Sequence, residues 1–245
     1  MARFDPYEQR ARLLPGLLAY APIAVAVATL GFQTFPAVAI LVALLSAAGS
    51  GYVLTVIVRE LGLRTQARMW SSWGGPPTTR YLRTRERHPN SIQHAAWREA
   101  IQVVAGVSLL SPGAEARRPT QADETIALAV GQARLLGQDP RYPLVKAENA
   151  QYGFERNLFG FRWVGRTSSF LCTAVLAGVS LAGTVGSMSA VSMEAALVGM
   201  LLDLALLVGW VTVPSATRTR AAADRYAECL FQAVLAERRL RASVG

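Results

Sequence analysis

Residues Thr167 to Met193 read TSSFLCTAVLAGVSLAGTVGSMSAVSM, an unbroken run without a charged side chain. Coiled as a helix at about 1.5 Å per residue, the run is longer than the roughly 30 Å hydrocarbon core of a bilayer. Beyond it, residues 195–213 form a second apolar stretch interrupted only by Asp203, and toward the N-terminus residues 16–32 and 37–58 are also uncharged. Hydrophobic residues make up 52% of the chain, but they are concentrated in these four blocks, while 59–166 has the texture of ordinary soluble sequence. The pattern predicts an all-α membrane protein with four transmembrane helices in two pairs, 16–58 and 167–213. A short segment, 1–15, precedes them, a mainly helical domain, 59–166, lies between the pairs, and 214–245 follows as an amphipathic helix. The first apolar run lacks a small-residue cleavage site and a second follows at once, so no cleaved signal peptide is expected.

Orientation follows from the arginines. Residues 59–166 hold sixteen Lys and Arg against nine Asp and Glu, +7 of the formal +9. Arg3, Arg10 and Arg12 precede the first span and six more arginines follow the last, whereas the connections 33–36 and 186–193 contain neither Lys nor Arg. The positive-inside bias places both termini and the middle domain in the cytosol. Cys172 in a span and Cys229 in the cytosolic tail are then expected to be inert, unpaired thiols.

Within the spans, Ala174, Gly178, Ala182 and Gly186 recur every four residues, which predicts a close helix contact within the subunit or between subunits. Residues 46–51 (SAAGSG) form a thin patch where a kink or crossing helix fits, and Pro22 argues for a bend in the first span. Asp203 is of another kind. A carboxylate near the centre of a span costs about 2.5–3.5 kcal/mol on insertion scales and commonly faces a water-filled path or a partner. It is a pore candidate, the alternative being a protonated carboxyl hydrogen-bonded to a neighbouring helix. Glu194 reads as an outer-mouth charge, and in an oligomer Glu194 and Asp203 would form two acidic rings, as in cation-selective pores.

The middle domain holds two clusters. In Trp70-Ser-Ser-Trp73-Gly74-Gly75-Pro76-Pro77-Thr78-Thr79-Arg80 the Gly-Gly-Pro-Pro core predicts a turn, with Thr78 and Thr79 capping a helix that continues through Tyr81, Arg83, Arg85 and Arg87. Backbone amides at such a helix start, close to Arg80, Arg83 and Arg85, would suit an anion; the competing reading is a membrane-surface elbow with Trp70 and Trp73 among lipid headgroups. The second cluster, 144–166, contains Lys146, Glu148, Asn149, Tyr152, Arg156 and Asn157. It could form an elbow, a pocket in which a base stacks on Tyr152 or Phe154 and phosphate meets Arg156, or an amphipathic segment leading into the span.

Apolar spacing predicts helices within 92–110 and 121–137, with turns at Ser111-Pro112-Gly113 and Arg117-Arg118-Pro119. Tyr226, Leu230, Phe231, Val234 and Leu235 make an apolar face on 217–242 that must be covered by the middle domain, another subunit or the membrane. The chain carries no nucleophile elbow, phosphate-binding loop or dinucleotide fingerprint. His88 and His94, the only histidines, do not share a helical face and no cysteine joins them at metal-ligand spacing. Neither enzymatic activity, a metal nor a cofactor is expected.

Trp73-Gly74-Gly75-Pro76-Pro77-Thr78-Thr79 after one span pair, followed by Glu148-Asn149 and Tyr152-Gly153-Phe154-Glu155-Arg156-Asn157 before another, resembles the small four-span membrane effectors of bacterial anti-phage defence, the Hailong-type channel effector among them. The resemblance implies a homo-oligomeric channel of the bacterial inner membrane, controlled by a nucleotide-type signal from a partner nucleotidyltransferase-type enzyme. Tyr152, Arg156 and Asn157 carry over as motif positions. Together the readings lead to a nucleotide- or oligonucleotide-gated pore that depolarises the membrane, with Arg80, Arg83, Arg85, Lys146, Tyr152, Arg156 and Asn157 as ligand contacts. A tetramer is expected from the four-span layout and the resemblance. The alternative is a non-conducting membrane sensor or scaffold that recruits nucleic acid or protein.

Overall fold

The structure, a computed structural model, describes residues 9–34, 50–184 and 192–244, and among them every regular element is helical. A π-helical turn, Gln9–Leu13, leads into α1 (Leu14–Thr34). There follow α2 (Ser50–Trp73), α3 (Pro77–Arg80), α4 (Ser91–Ala105), α5 (Pro112–Arg117) and α6 (Pro119–Ala133). A 3₁₀ turn, Arg134–Gln138, precedes α7 (Pro143–Thr184), α8 (Met193–Thr212) and α9 (Ala216–Val244). Among the described residues, three segments are long and apolar enough to cross a membrane: Arg10–Leu30, Pro143–Ala182 and Met193–Thr212. The protein is therefore a membrane-associated helical protein. Most of the expected second span, 37–58, lies outside the described residues, as do most of the patch at 46–51 and of the connection at 186–193.

Local chemistry sets the boundaries. Asn90 caps α4, its Oδ1 accepting from the Gln93 amide at 2.9 Å, and Gly106 ends that helix in the left-handed region at φ +65°. Ser192 caps α8 by accepting from the Ala195 amide at 3.2 Å. Pro112 and Pro119 open α5 and α6 at the one position where a missing N–H costs nothing. After Trp73, Gly74 and Gly75 take φ +78° and +125°, and the Gly75 amide closes back on the Trp70 carbonyl at 2.7 Å.

One expected local arrangement does not form, and one of the three alternatives for 144–166 is not seen. The helix expected to run from Thr78 through Arg87 stops at Arg80, because the chain leaves α3 through turns that carry Arg83 and Arg85 toward carboxylates on α5 and α6. No elbow interrupts 144–166 either. α7 runs unbroken from Pro143 to Thr184, through the 59–166/167–213 boundary drawn from composition. It has no proline after Pro143, and its glycines at 160 and 165 serve helix contacts rather than turns.

The chain divides into two compact units. One comprises Met1–Gln66 and Gly153–Thr219 and contains α1, α8 and the apolar parts of α2 and α7. Its helices meet at small residues. A Cβ on Gly160 would stand 3.0 Å from the Gly62 Cα and from the Leu61 carbonyl oxygen, so α2 and α7 cross backbone to backbone. Gly199 of α8 lies against Thr29 of α1, and Gly165 of α7 accepts the face of Trp210. Ser168 Oγ donates to the Ala19 carbonyl at 3.1 Å, and Arg166 Nε to that of Trp210 at 3.0 Å, tying the end of α8 to α7. Ala174 and Gly178 of the four-residue stripe are exposed, and a Cβ on Gly178 would meet nothing within 4 Å, so that glycine makes no close helix contact within this unit.

The other unit comprises Ala67–Tyr152 and Arg220–Gly245. Leu82, Trp97, Ile101, Ile126, Val130 and Val145 are buried there together with Leu230, Phe231 and Val234. The apolar face of α9 is thus covered by the middle segment of the chain itself. Trp73 packs partly against this core.

Candidate functional site

The arginines expected to hold an anion are engaged by carboxylates. Arg83 is buried at 8% exposure. Its Nε and Nη2 donate to Asp123 at 2.9 and 2.8 Å, and its Nη1 to Glu86 and the Gly74 carbonyl at 2.6 and 2.7 Å. Arg80 donates through Nε and Nη2 to Glu86, at 2.9 and 2.7 Å, and Arg85 Nη2 reaches both Asp123 oxygens at 2.8 and 2.7 Å. At the centre sits Glu115, 1% exposed, accepting from the Thr84 amide at 2.8 Å and pairing with Arg85 and Arg98. Bidentate pairs of this kind fix geometry. Here they hold the 80–88 turn onto α5 and α6.

The network carries a pH signature. Burial pushes the Glu86 carboxyl up, but hydrogen bonds from Arg80 and Arg83 outweigh it and hold the group below its ordinary range; Asp123 is held low in the same way by Arg83 and Arg85. Burial, with the adjacent His88 and Arg98, also depresses His94. Each group is depressed in the folded state, so the unfolded chain takes up protons first and stability falls with pH. A shallow loss is expected below about pH 6.5 from His94 and a steeper one below about pH 4 from the carboxylates. Circular-dichroism melts of the full chain in detergent test this, and a midpoint that rises on acidification contradicts it.

The second cluster is divided by the fold. Lys146 is exposed on α7. Tyr152 is 7% exposed and stacks on Tyr226, centroids 6.5 Å apart and planes 9° apart, so one face of the ring expected to receive a base is covered by protein. Arg156 donates to Gln66 Oε1 at 2.8 Å and to Asn157 Oδ1 at 3.1 Å. Asn157, fully buried, donates to the Ala11 carbonyl in the π-helical turn at 2.6 Å. Arg156 and Asn157 join helices of the apolar unit; Tyr152 belongs to the core of the other unit.

Asp203 is the eleventh of the twenty residues of α8, about 15 Å along the axis from either end. It is fully buried, and neither carboxylate oxygen has a hydrogen-bond partner among the described residues. Ala196, Gly199, Asp203 and Trp210 are the buried positions of α8, so Asp203 lies along the helix between the contact with Thr29 and the contact with Gly165. Ser169 Oγ and Thr173 Oγ1, one turn apart on α7, are likewise buried without partners. Three polar side chains of one apolar unit are thus left unsatisfied where each costs free energy. Glu194 is exposed in the first turn of α8, where its charge favours the helix N-terminus.

A cavity of about 260 Å³ opens in the polar unit, walled by Tyr81, His88, His94 and Trp97 and rimmed by arginines and carboxylates. The histidines, six apart in sequence, stack with centroids 4.0 Å apart and planes 12° apart. They meet because His88 lies in the loop before the Asn90 cap, where helical spacing does not apply. The one signal in the sequence was that cap residue between them. No protein family, curated protein or solved structure is detectably similar to this chain.

Proposed function

We propose that this chain is a homo-oligomeric ion channel of a bacterial inner membrane, gated by an anionic nucleotide or oligonucleotide on its cytosolic part. Its termini lie in the cytosol, and the assembly is a tetramer of four-span protomers. Opening depolarises the membrane, and the layout resemblance to anti-phage effectors suggests the setting, with a partner nucleotidyltransferase-type enzyme supplying the signal.

The observation that carries the reading is Asp203, a buried carboxylate without a hydrogen-bond partner among the described residues, at the midpoint of a membrane-length helix. A closed bundle that keeps this group dry stores the cost of its desolvation, and an opening motion that brings water to it recovers that cost. The helix bundle is then the bistable element that gating requires. Because Asp203 faces the interior of its own protomer's unit, it meets the ion path only when the spans separate. Glu194 at the exposed end of α8 draws cations toward that path. Ion flux from potassium-loaded vesicles is the test: wild-type protein releases the ion, and Asp203→Asn, which removes the charge at nearly constant size, changes the rate severalfold. Equal flux from both sinks the assignment of Asp203 to the path.

A further inference from the structure

The cavity beside the stacked histidines is walled by aromatic rings, and its rim carries three arginines, Arg80, Arg87 and Arg220, against three carboxylates, Glu86, Asp224 and Glu228. Trp97 Nε1–H and His94 Nε2, ring nitrogens of two residues in its wall, are buried without partners among the described residues. Buried ring nitrogens are ordinarily paired, and these two, closed off from solvent beside the cavity, are left without a partner among the described residues. Aromatic rings dominate the wall: Tyr81 lies 5.8 Å from Trp97 and 6.4 Å from His88, centroid to centroid.

The charges at the rim are unequal in availability. Glu86 accepts from Arg80 and Arg83, and the Tyr81 hydroxyl donates to Glu228 at 3.1 Å. Asp224 stands 3.9 Å from Arg220, a loose contact that leaves most of that guanidinium's donors unused. Arg87 is exposed and makes no ion pair among the described residues. Of the rim carboxylates Glu86 is held closely by arginines while Asp224 and Glu228 are held more loosely, and a phosphate would find donors of Arg87 and Arg220 not filled by close ion pairs. Flat rings for stacking, ring nitrogens for a base edge and guanidinium groups at the mouth are the components of nucleotide recognition.

We propose that this cavity, and not the Arg83–Arg85 network, is the nucleotide site, with room for one nucleoside monophosphate unit. His88, His94 and Trp97 take the base; Arg87 and Arg220 take the phosphate. The proposal rests on the reading above that the polar part of the protein binds an anionic nucleotide, and it locates and sizes that site.

The test is titration calorimetry of the full-length protein in detergent with the four common nucleoside monophosphates, and with adenosine and inorganic phosphate as fragments. At least one monophosphate is expected to bind, each fragment at least tenfold more weakly. Arg87→Ala, an exposed change that leaves the fold intact, should weaken the monophosphate about tenfold. Trp97→Phe should weaken it while retaining the ring, and Arg134→Ala, away from the cavity, should leave it unchanged. Failure of all four to bind folded protein at millimolar concentration, or binding indifferent to Arg87→Ala and Trp97→Phe, overturns the proposal. Calorimetry needs no current: binding without ion flux removes the channel reading and leaves the site, and ligand-dependent flux without binding here does the reverse.

Discussion

Glu115→Ala is expected to destabilise the polar unit by about 3–5 kcal/mol, the usual consequence of removing one partner from a buried ion pair. The carboxylate is 1% exposed and accepts from two backbone amides, those of Thr84 and Arg85, at 2.8 and 3.3 Å. Its other oxygen lies 3.4 Å from Arg98, whose side chain is 12% exposed and, among the described residues, otherwise donates to the backbone carbonyls of Leu82 and Leu110. Alanine leaves the Arg98 guanidinium buried without a counter-charge and the 83–85 turn without its anchor. For a unit of this size, the loss corresponds to a fall of more than about 10 °C in the melting midpoint. Glu115→Gln, which keeps an acceptor for the Thr84 amide, should fall between the two. Melts of the full chain in detergent, followed at 222 nm, decide it; an alanine variant within about 0.5 kcal/mol of wild type, the range of ordinary surface changes, contradicts the network's structural role.

Gly160→Val is the second large effect. The ideal Cβ at 160 stands 3.0 Å from backbone atoms of Leu61 and Gly62, and no side chain there can move aside. The reciprocal Cβ on Gly62 would lie 1.9 Å from Asn157 Oδ1 and 3.2 Å from the Asn157 Cα. Valine must push α2 from α7, at a cost of about 1–3 kcal/mol or more, and the Asn157–Ala11 hydrogen bond depends on the same crossing. Gly178→Ala is the control: nothing lies within 4 Å of that position, and its effect on the protomer should stay within about 0.5 kcal/mol. Thermal unfolding in detergent at low protein concentration separates the two. Equal losses would mean that the helix crossing at Gly62 and Gly160 is not where the unit's packing is concentrated.

The contrast between Gly160 and Gly178 also shows what could be read from residues alone. Apolar run length is a local property, so the helices carrying 16–32, 167–184 and 195–212 were legible, as were the turn at Gly74-Gly75 and the apolar face of α9. A stripe of small residues states that close approach is possible without saying to what. The four-residue repeat at 174–186 was the more regular pattern, yet the described close contact uses single glycines on two helices distant in sequence. Charge behaves similarly. Arg80, Arg83 and Arg85 look like an anion site while their neighbours are unknown, and Glu86, Glu115 and Asp123 become their partners only through tertiary folding. The His88–His94 stack was hidden because helical spacing was applied across a helix start, and the cavity beside it needs residues from α4 and α9 together.

The most direct measurement of the central claim is single-channel recording of the purified protein in a planar bilayer, with wild type and Asp203→Asn compared under the same ionic gradient. The account predicts discrete cation-selective openings in the wild type, and in the variant a severalfold change in conductance or open probability. A protein that is intact, oligomeric and silent under every nucleotide monophosphate, or openings identical in the two proteins, contradicts it.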